Sequence, residues 1–310
     1  MQFARGFLRI RTLTRAFAYL SPKNLPQVGV DWQGTSYNFS QAWHLFKQIK
    51  LDNKAPALNF LQLMLELDLF HSETFDEVFT TLKEYRPLSD LIAPEKFAWQ
   101  VPIERPQKII CIGRNYREHA RELGNPPPPE PVFFAKAPSA LLAHERTVRL
   151  PEGVGAVHHE IELGVVIGKS ASGIAADGAL EFVAGYTIIN DVTARELQKK
   201  DIAAGLPWFR AKSFDTFCPI GPYLVPRESV PDPQNLQLEL RVNGTVRQRA
   251  STSDMMFPVA ELVSHVSRCC TLQPGDILAT GTPSGVGPLQ SGEVMESEIA
   301  GFGVLRNEVK

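Results

Sequence analysis

Three acidic residues fall where the surrounding sequence is almost wholly apolar. In Val157-His158-His159-Glu160-Ile161-Glu162-Leu163-Gly164-Val165-Val166-Ile167, side chains of an extended strand alternate. Glu160 and Glu162 then share one face, and Ile161, Leu163, Val165 and Ile167 take the other. A third acid, Asp191, ends the strand-like run 185–191 (GYTIIND). Like charges side by side in an apolar setting are costly unless a cation, a proton or an arginine compensates them. Hard carboxylate oxygens suit Mg(II), with Mn(II) or Ca(II) as alternatives. Three of them, with waters and substrate oxygens, complete the octahedron Mg(II) prefers. The competing reading is a solvated strand face, with Asp191 capping a helix that begins at Thr193.

A second constellation suits acid–base chemistry. Asn115 can cap a short helix with Glu118 at its third position, and Gly124 and Pro126 stop it. His119 and Glu122 then lie three apart on one helical face. A carboxylate beside an imidazole favours the charged ring and orients it, giving a general base near neutral pH. The same spacing also describes an ordinary surface pair. Arg195 and Gln198, three apart after Asp191, can both point back at the acids. Thr282, in the Thr280-Gly281-Thr282-Pro283 turn, offers a hydroxyl and nearby N–H groups to a carboxylate. Arg195 serves equally well as an ion-pair partner of Glu160 or Asp191. Tyr116 joins this group as a substrate contact. His158 alternates onto the Glu160 face, either behind the acids or as a hydrogen-bonded core histidine.

Positioning these groups requires strands with few interruptions. Short runs at 161–168, 184–190, 236–244 and 276–281 recur between turn residues. The run 236–244 meets Asn243-Gly244, the dipeptide of two-residue hairpin turns, so an antiparallel hairpin is expected there. Upstream, apolar residues recur at three- and four-residue intervals in 38–49, 56–69 and 73–85, which predicts amphipathic helices. The periodicity fades around Pro87, Pro94, Pro102 and Pro106, and KIICIG (108–113) reads as the first strand of a new unit. The expected class is α+β, with a smaller, largely helical N-terminal domain at 1–104 and a catalytic domain at 105–310.

Five strings, in this order, resemble the fumarylacetoacetate hydrolase family: IGRNYREHARELG (112–124), HHEIELGVVIG (158–168), GYTIINDVTARELQ (185–198), LPWFRAKSFDTFCPIGP (206–222) and GDILATGTPSGVG (275–287). The resemblance spans about residues 107 to 308. It implies a C-terminal mixed β-roll around a metal held by Glu160, Glu162 and Asp191. It further implies a His119–Glu122 dyad on a segment that orders over substrate, an active-site lysine at Lys212, and substrate contacts at Gln198 and Thr282. The stretch CIGRNY lacks the additional aspartate that fumarylacetoacetase carries before its catalytic histidine, so the chain looks nearer the acylpyruvase-like branch. The implied activity is metal-dependent cleavage of a C–C bond in a small 2,4-dioxo acid, such as fumarylpyruvate or acetylpyruvate, to give pyruvate. Oxaloacetate decarboxylation or tautomerisation, a sugar-acid dehydratase or isomerase, and a non-catalytic metal-binding homologue are the alternatives. Family members commonly form dimers, so a homodimer is expected.

Bulk properties narrow the partners. The chain has 310 residues, 44% hydrophobic and 21% charged, enough for one large core or two smaller ones. Lys plus Arg (32) and Asp plus Glu (34) nearly cancel without blocks of like charge, which argues against a nucleic-acid partner and for a small molecule. No apolar run approaches the roughly 20 residues of a membrane span. Cys111, Cys218, Cys269 and Cys270 form no C-x-x-C pair, and a reducing, cytoplasmic compartment is expected. Arg5, Arg9, Arg11 and Arg15 alternate with Phe3, Phe7, Leu8 and Ile10, and no acid precedes Asp31. That pattern resembles a transit peptide, which makes a mitochondrial location the alternative, or else it opens the first domain as an edge strand or hairpin.

Overall fold

The protein's computed structural model describes residues 13–52, 54–122, 124 and 126–310. Its largest sheet has 11 strands. The main path runs Thr35–Asn38, Pro26–Trp32, Arg15–Leu20, Cys218–Pro226, Val183–Asn190, Ile161–Ile167, Ile277–Ala279, Ile109–Gly113 and Val132–Lys136. Most neighbours are antiparallel, but Ile277–Ala279 lies parallel to Ile109–Gly113, so the sheet is mixed. A five-stranded sheet contains the predicted hairpin: Gln237–Val242 pairs antiparallel with Thr245–Ser251 through Asn243 and Gly244, both at positive φ. A three-stranded sheet joins Val157–His159 to Thr193–Ala194 and Gly287–Pro288. With its helices the protein is α+β.

The Ile161–Ile167 strand is buried on both faces. Ile161, Leu163, Val165 and Ile167 enter one core with the five-stranded sheet and the Val259–Cys269 helix, as their alternation predicts. Val166 points into a second core on the other side. A strand of this kind reads as a continuous apolar run, and Glu160 and Glu162 interrupt it.

The second core is roofed by the N-terminal helices. They form at Phe39–Ile49, Leu61–Glu66 and Ser72–Tyr85. Asn38 caps the first by accepting from the Gln41 N–H at 3.0 Å. The second is shorter than its periodicity suggests. The Leu58 carbonyl accepts from the Ser40 hydroxyl at 2.6 Å and the Pro56 carbonyl from Trp43 Nε1 at 3.0 Å, which holds 56–60 out of the helix. Phe39, Phe75 and Phe79 from this roof share a core with Val166, Ile189, Ile220 and Ala279 of the main sheet, so one apolar layer is built from both sides of residue 104.

Residues 15–38 fold as a meander that adds three strands to the same sheet. The N-terminal region is therefore less uniformly helical than its periodicity suggests. The turn uses Gln33 and Gly34 at positive φ, a pair without the Asn-Gly signature. Arg15 belongs to the first of these strands and pairs with Asp31 at 2.9 Å. Arg5, Arg9, Arg11, Phe3, Phe7, Leu8 and Ile10 lie outside the described residues. Among the described residues no helix is long and apolar enough to cross a membrane, and all four cysteines are free.

Phe75 is fully buried and meets Phe39 and Phe70 edge-on at 5.0 and 5.7 Å. Phe75→Ala should cost about 3–5 kcal/mol in denaturant unfolding, the range for Phe-to-Ala cavities. The exposed Glu84→Ala on the same helix should stay within about 0.5 kcal/mol.

Candidate active site

The acids converge because the backbone around them is pinned. The strand breaks at Glu160, between Val157–His159 and Ile161–Ile167. There the Glu160 N–H donates to the Asn190 side-chain oxygen at 2.9 Å, and the Asp191 N–H donates to the Glu160 carbonyl at 2.8 Å. Asp191, one residue past the Val183–Asn190 strand, is thereby brought against Glu160. Glu162 accepts from the Gly281 N–H at 2.7 Å. One carboxylate oxygen from each of Glu160, Glu162 and Asp191 lies within 4.8 Å of the others, and all three residues are buried. The solvated strand face is excluded.

Three cations surround these acids unevenly. Lys212 Nζ lies 2.8 Å from Glu160 and also bonds Asp191. The Arg195 guanidinium bonds Glu160. Lys136 Nζ, fully buried, sits 2.7 Å from Asp191 and also donates to the Val192 carbonyl at 3.3 Å. Burial alone would raise the Glu160 pKa, but Lys212 and then Arg195 hold it well below the carboxylate range. Burial likewise opposes the Lys212 charge, yet Asp191 and Glu160 keep its pKa above the usual lysine value. Glu162 has no cationic partner among the described residues. Burial, then Asp191 and Glu160, push its carboxyl pKa well above the ordinary range. The donor set consists of hard oxygens with one acid uncompensated, and a divalent cation fits it.

A cavity of about 140 Å³ opens over this cluster, and Arg195, Gln198, Lys212 and Thr282 line it with the three acids. Arg195 also donates to Gln198 Oε1 at 2.6 Å, so it is both an ion-pair partner and a wall of the cavity. His119, on the Arg117–Glu122 helix, forms a further wall. Its Nδ1 lies 3.2 Å from Glu122, and Glu122 in turn accepts from the Gly285 N–H at 3.1 Å. The sequence spacing thus gives a pair of which His119 is buried at the cavity wall and Glu122 stands behind it, exposed. One expectation is reversed: burial outweighs Glu160 and Glu122 and lowers the His119 pKa, so the ring is held neutral rather than charged.

Three further expectations are corrected. Asn115 does not cap the helix. Its side chain is buried and donates to the Phe257 and Thr280 carbonyls at 3.0 and 2.9 Å while accepting from the Phe257 N–H at 2.9 Å. Tyr116 does not line the cavity. Its backbone bridges to Met255, which turns the ring into the apolar core beside a neighbouring depression. His158 is half-buried with Nδ1 unpartnered, so it is not the hydrogen-bonded core histidine expected; burial and then Arg195 lower its pKa to about 4. Sequence reasoning missed Lys136, Arg114 and Trp208. Lys136 ends the apolar strand Val132–Lys136, a weak signal because surface lysines end strands too. Arg114 reaches the cavity through a positive φ, which no sequence pattern announced.

Residues 108–310 match the family model for the fumarylacetoacetate (FAA) hydrolase C-terminal domain. The chain belongs to this family. It is 45% identical over 203 residues to the mitochondrial oxaloacetate tautomerase FAHD1 of Arabidopsis thaliana, covering 66% of this chain and 91% of that protein. Among solved structures, a fumarylacetoacetate hydrolase from the psychrophile Exiguobacterium antarcticum is 30% identical, with a TM-score of 0.76 over 96% of this chain and 99% of that one. A fumarylpyruvate hydrolase from Pseudomonas aeruginosa, in complex with Mn2+ and pyruvate, is 39% identical, with a TM-score of 0.64 over 70% of this chain and 92% of that one. The family comprises enzymes named for hydrolase, isomerase and tautomerase activity.

The raised Glu162 pKa gives the chelator-treated protein a signed pH dependence. The folded state keeps the proton where the unfolded chain has lost it, so this group's stabilisation is present at low pH and disappears as pH climbs through the folded pKa. Melting of the metal-free protein should therefore fall as pH rises above the ordinary carboxylate range, and Glu162→Gln should flatten that slope. An unchanged slope in the variant would remove Glu162 as its source.

Proposed function

We propose that this protein is a divalent-metal-dependent enzyme that carries a small 2-oxo acid through its enolate, hydrolysing the C–C bond of an acylpyruvate to release pyruvate. The observation that carries the reading is His119, paired through Nδ1 with Glu122, at the wall of a cavity floored by Glu160, Glu162 and Asp191.

Glu160, Glu162 and Asp191 would hold the ion, with Mg(II) preferred and Mn(II) or Ca(II) as alternatives. Bound there, it would supply Lewis-acid polarisation of the substrate's carboxylate and 2-oxo oxygens. Arg195, Gln198 and Thr282 orient the substrate carboxylate. His119, neutral and braced through Nδ1 by Glu122, takes a proton from water on Nε2, which has no partner among the described residues. The resulting hydroxide attacks the distal carbonyl. The C–C bond breaks, the distal carbonyl leaves as a carboxylic acid, the electron pair is delocalised onto the 2-oxo oxygen, and the proton that His119 took from water returns to the enolate carbon to give pyruvate. Lys212, cationic in this setting, offsets the negative charge that develops on the enolate.

A second reading is favoured by the tautomerase among the relatives: with oxaloacetate, the same base and the same charge-stabilising groups need only move a proton between carbon and oxygen. A homodimer is also proposed, and light scattering should give twice the chain mass.

Pyruvate release from acetylpyruvate, fumarylpyruvate and oxaloacetate, assayed with Mg(II), with Mn(II) and with chelator, separates these readings. Chelator-sensitive release from an acylpyruvate is expected, and His119→Ala should lower turnover by about 100-fold or more, the scale of a general base, while leaving Mn(II) affinity nearly unchanged. Enol–keto exchange of oxaloacetate without release from any substrate would favour the tautomerase. Unchanged turnover in His119→Ala would remove the dyad from the mechanism.

A further inference from the structure

Thr245–Ser251 is an edge strand with one buried side chain, that of Gln248. A glutamine is costly to bury unless its amide is fully satisfied, so its partners say what it is for. Pairing with Gln237–Val242 slips between Leu240 opposite Gln248 and Arg241 opposite Val246, which leaves Arg247 as an extra residue. A bulge of this kind re-aims the neighbouring side chain, and here it turns Gln248 inward. Gly285, at φ +94, lets residues 281–285 lie against the bulge, since a Cβ there would collide with the Arg247 carbonyl oxygen.

The Gln248 amide uses both donors and both acceptor positions. Nε2 donates to the Pro283 carbonyl at 2.8 Å and to Thr282 Oγ1 at 2.8 Å. Oε1 accepts from the Ile161 N–H at 3.2 Å and meets His159 Nδ1 at 3.0 Å. A carbonyl can only accept and a backbone N–H can only donate, so Pro283 and Ile161 fix which end of the amide is which. It follows that His159 donates from Nδ1. It also follows that the Thr282 hydroxyl accepts from Gln248. Its single proton is then free, because among the described residues the hydroxyl donates to no protein acceptor, and Thr282 lines the cavity.

We propose that Gln248 is a positioning residue that fixes the polarity of the Thr282 hydroxyl, making it a donor into the cavity and so favouring ligands that present an anionic oxygen there, such as the carboxylate of a 2-oxo acid. The identity of that ligand rests on the function proposed above. The hydrogen-bond argument does not.

Gln248→Glu keeps both acceptor positions and loses both donors, so the Thr282 proton would turn toward the introduced carboxylate. Oxalate affinity, measured by calorimetry on Mn(II)-loaded protein, should fall about tenfold in Gln248→Glu and in Thr282→Val, roughly the loss of one charge-assisted hydrogen bond. The double variant should lose no more than the worse single, and Thr282→Ser should bind like the parent. Additive losses would overturn the proposal. Independently of folding defects in any variant, 15N-labelled histidine in the unmodified protein should show His159 protonated at Nδ1. A proton on Nε2 alone would overturn the assignment of the amide. Failure of the unmodified protein to bind oxalate would strike the 2-oxo-acid reading and the ligand class named here, with the histidine signal still deciding the amide.

Discussion

The structure is organised by a charge problem: three buried carboxylates and three buried or nearly buried cations share one small volume, and the sharing is uneven. Glu160 and Asp191 each have two cationic partners, and Glu162 has one backbone N–H. Such a cluster is unfavourable unless its geometry is held closely, because each ion forfeits several kcal/mol of hydration on burial. Removing one partner leaves the other charge exposed to the same penalty. That asymmetry gives the site its chemistry, since an acid without a partner is where a cation belongs.

Rigidity comes from backbone-bound amides rather than from the charges themselves. Asn190 ties the Glu160 N–H, Asn115 ties residue 257 to Thr280, and Gln248 ties Ile161 to Thr282 and Pro283. Each amide lies 30 or more residues along the chain from the groups it binds. The strands they pin are buried on both faces, with one face covered by the five-stranded sheet and the other by the N-terminal helices. The N-terminal region therefore contributes to the site without lining its cavity, by covering the apolar core on the same face of the strand from which Glu162 projects.

What the sequence made legible followed from local rules. The period-two alternation at 160–167 gave the common face of the acids, the apolar periodicity gave three helices, and Asn243-Gly244 gave a hairpin. The illegible parts depended on distant partners. Asn115 reads as a helix cap only because Phe257 and Thr280 are invisible in the sequence, and Tyr116 reads as a contact only because its pairing with Met255 is. Lys136 and Gln248 are ordinary surface types until the fold buries them. The His119 expectation failed for a related reason: proximity to Glu122 is written in the spacing, whereas the burial that outweighs it is not.

The central claim is that the uneven cluster is a binding site for one divalent cation. The most direct measurement is titration of chelator-treated protein with Mn(II), following the free ion by electron paramagnetic resonance. Saturation at one ion per chain, with affinity sharply reduced by Asp191→Asn, is the predicted result. Absence of saturable binding, or binding indifferent to that substitution, would contradict the account.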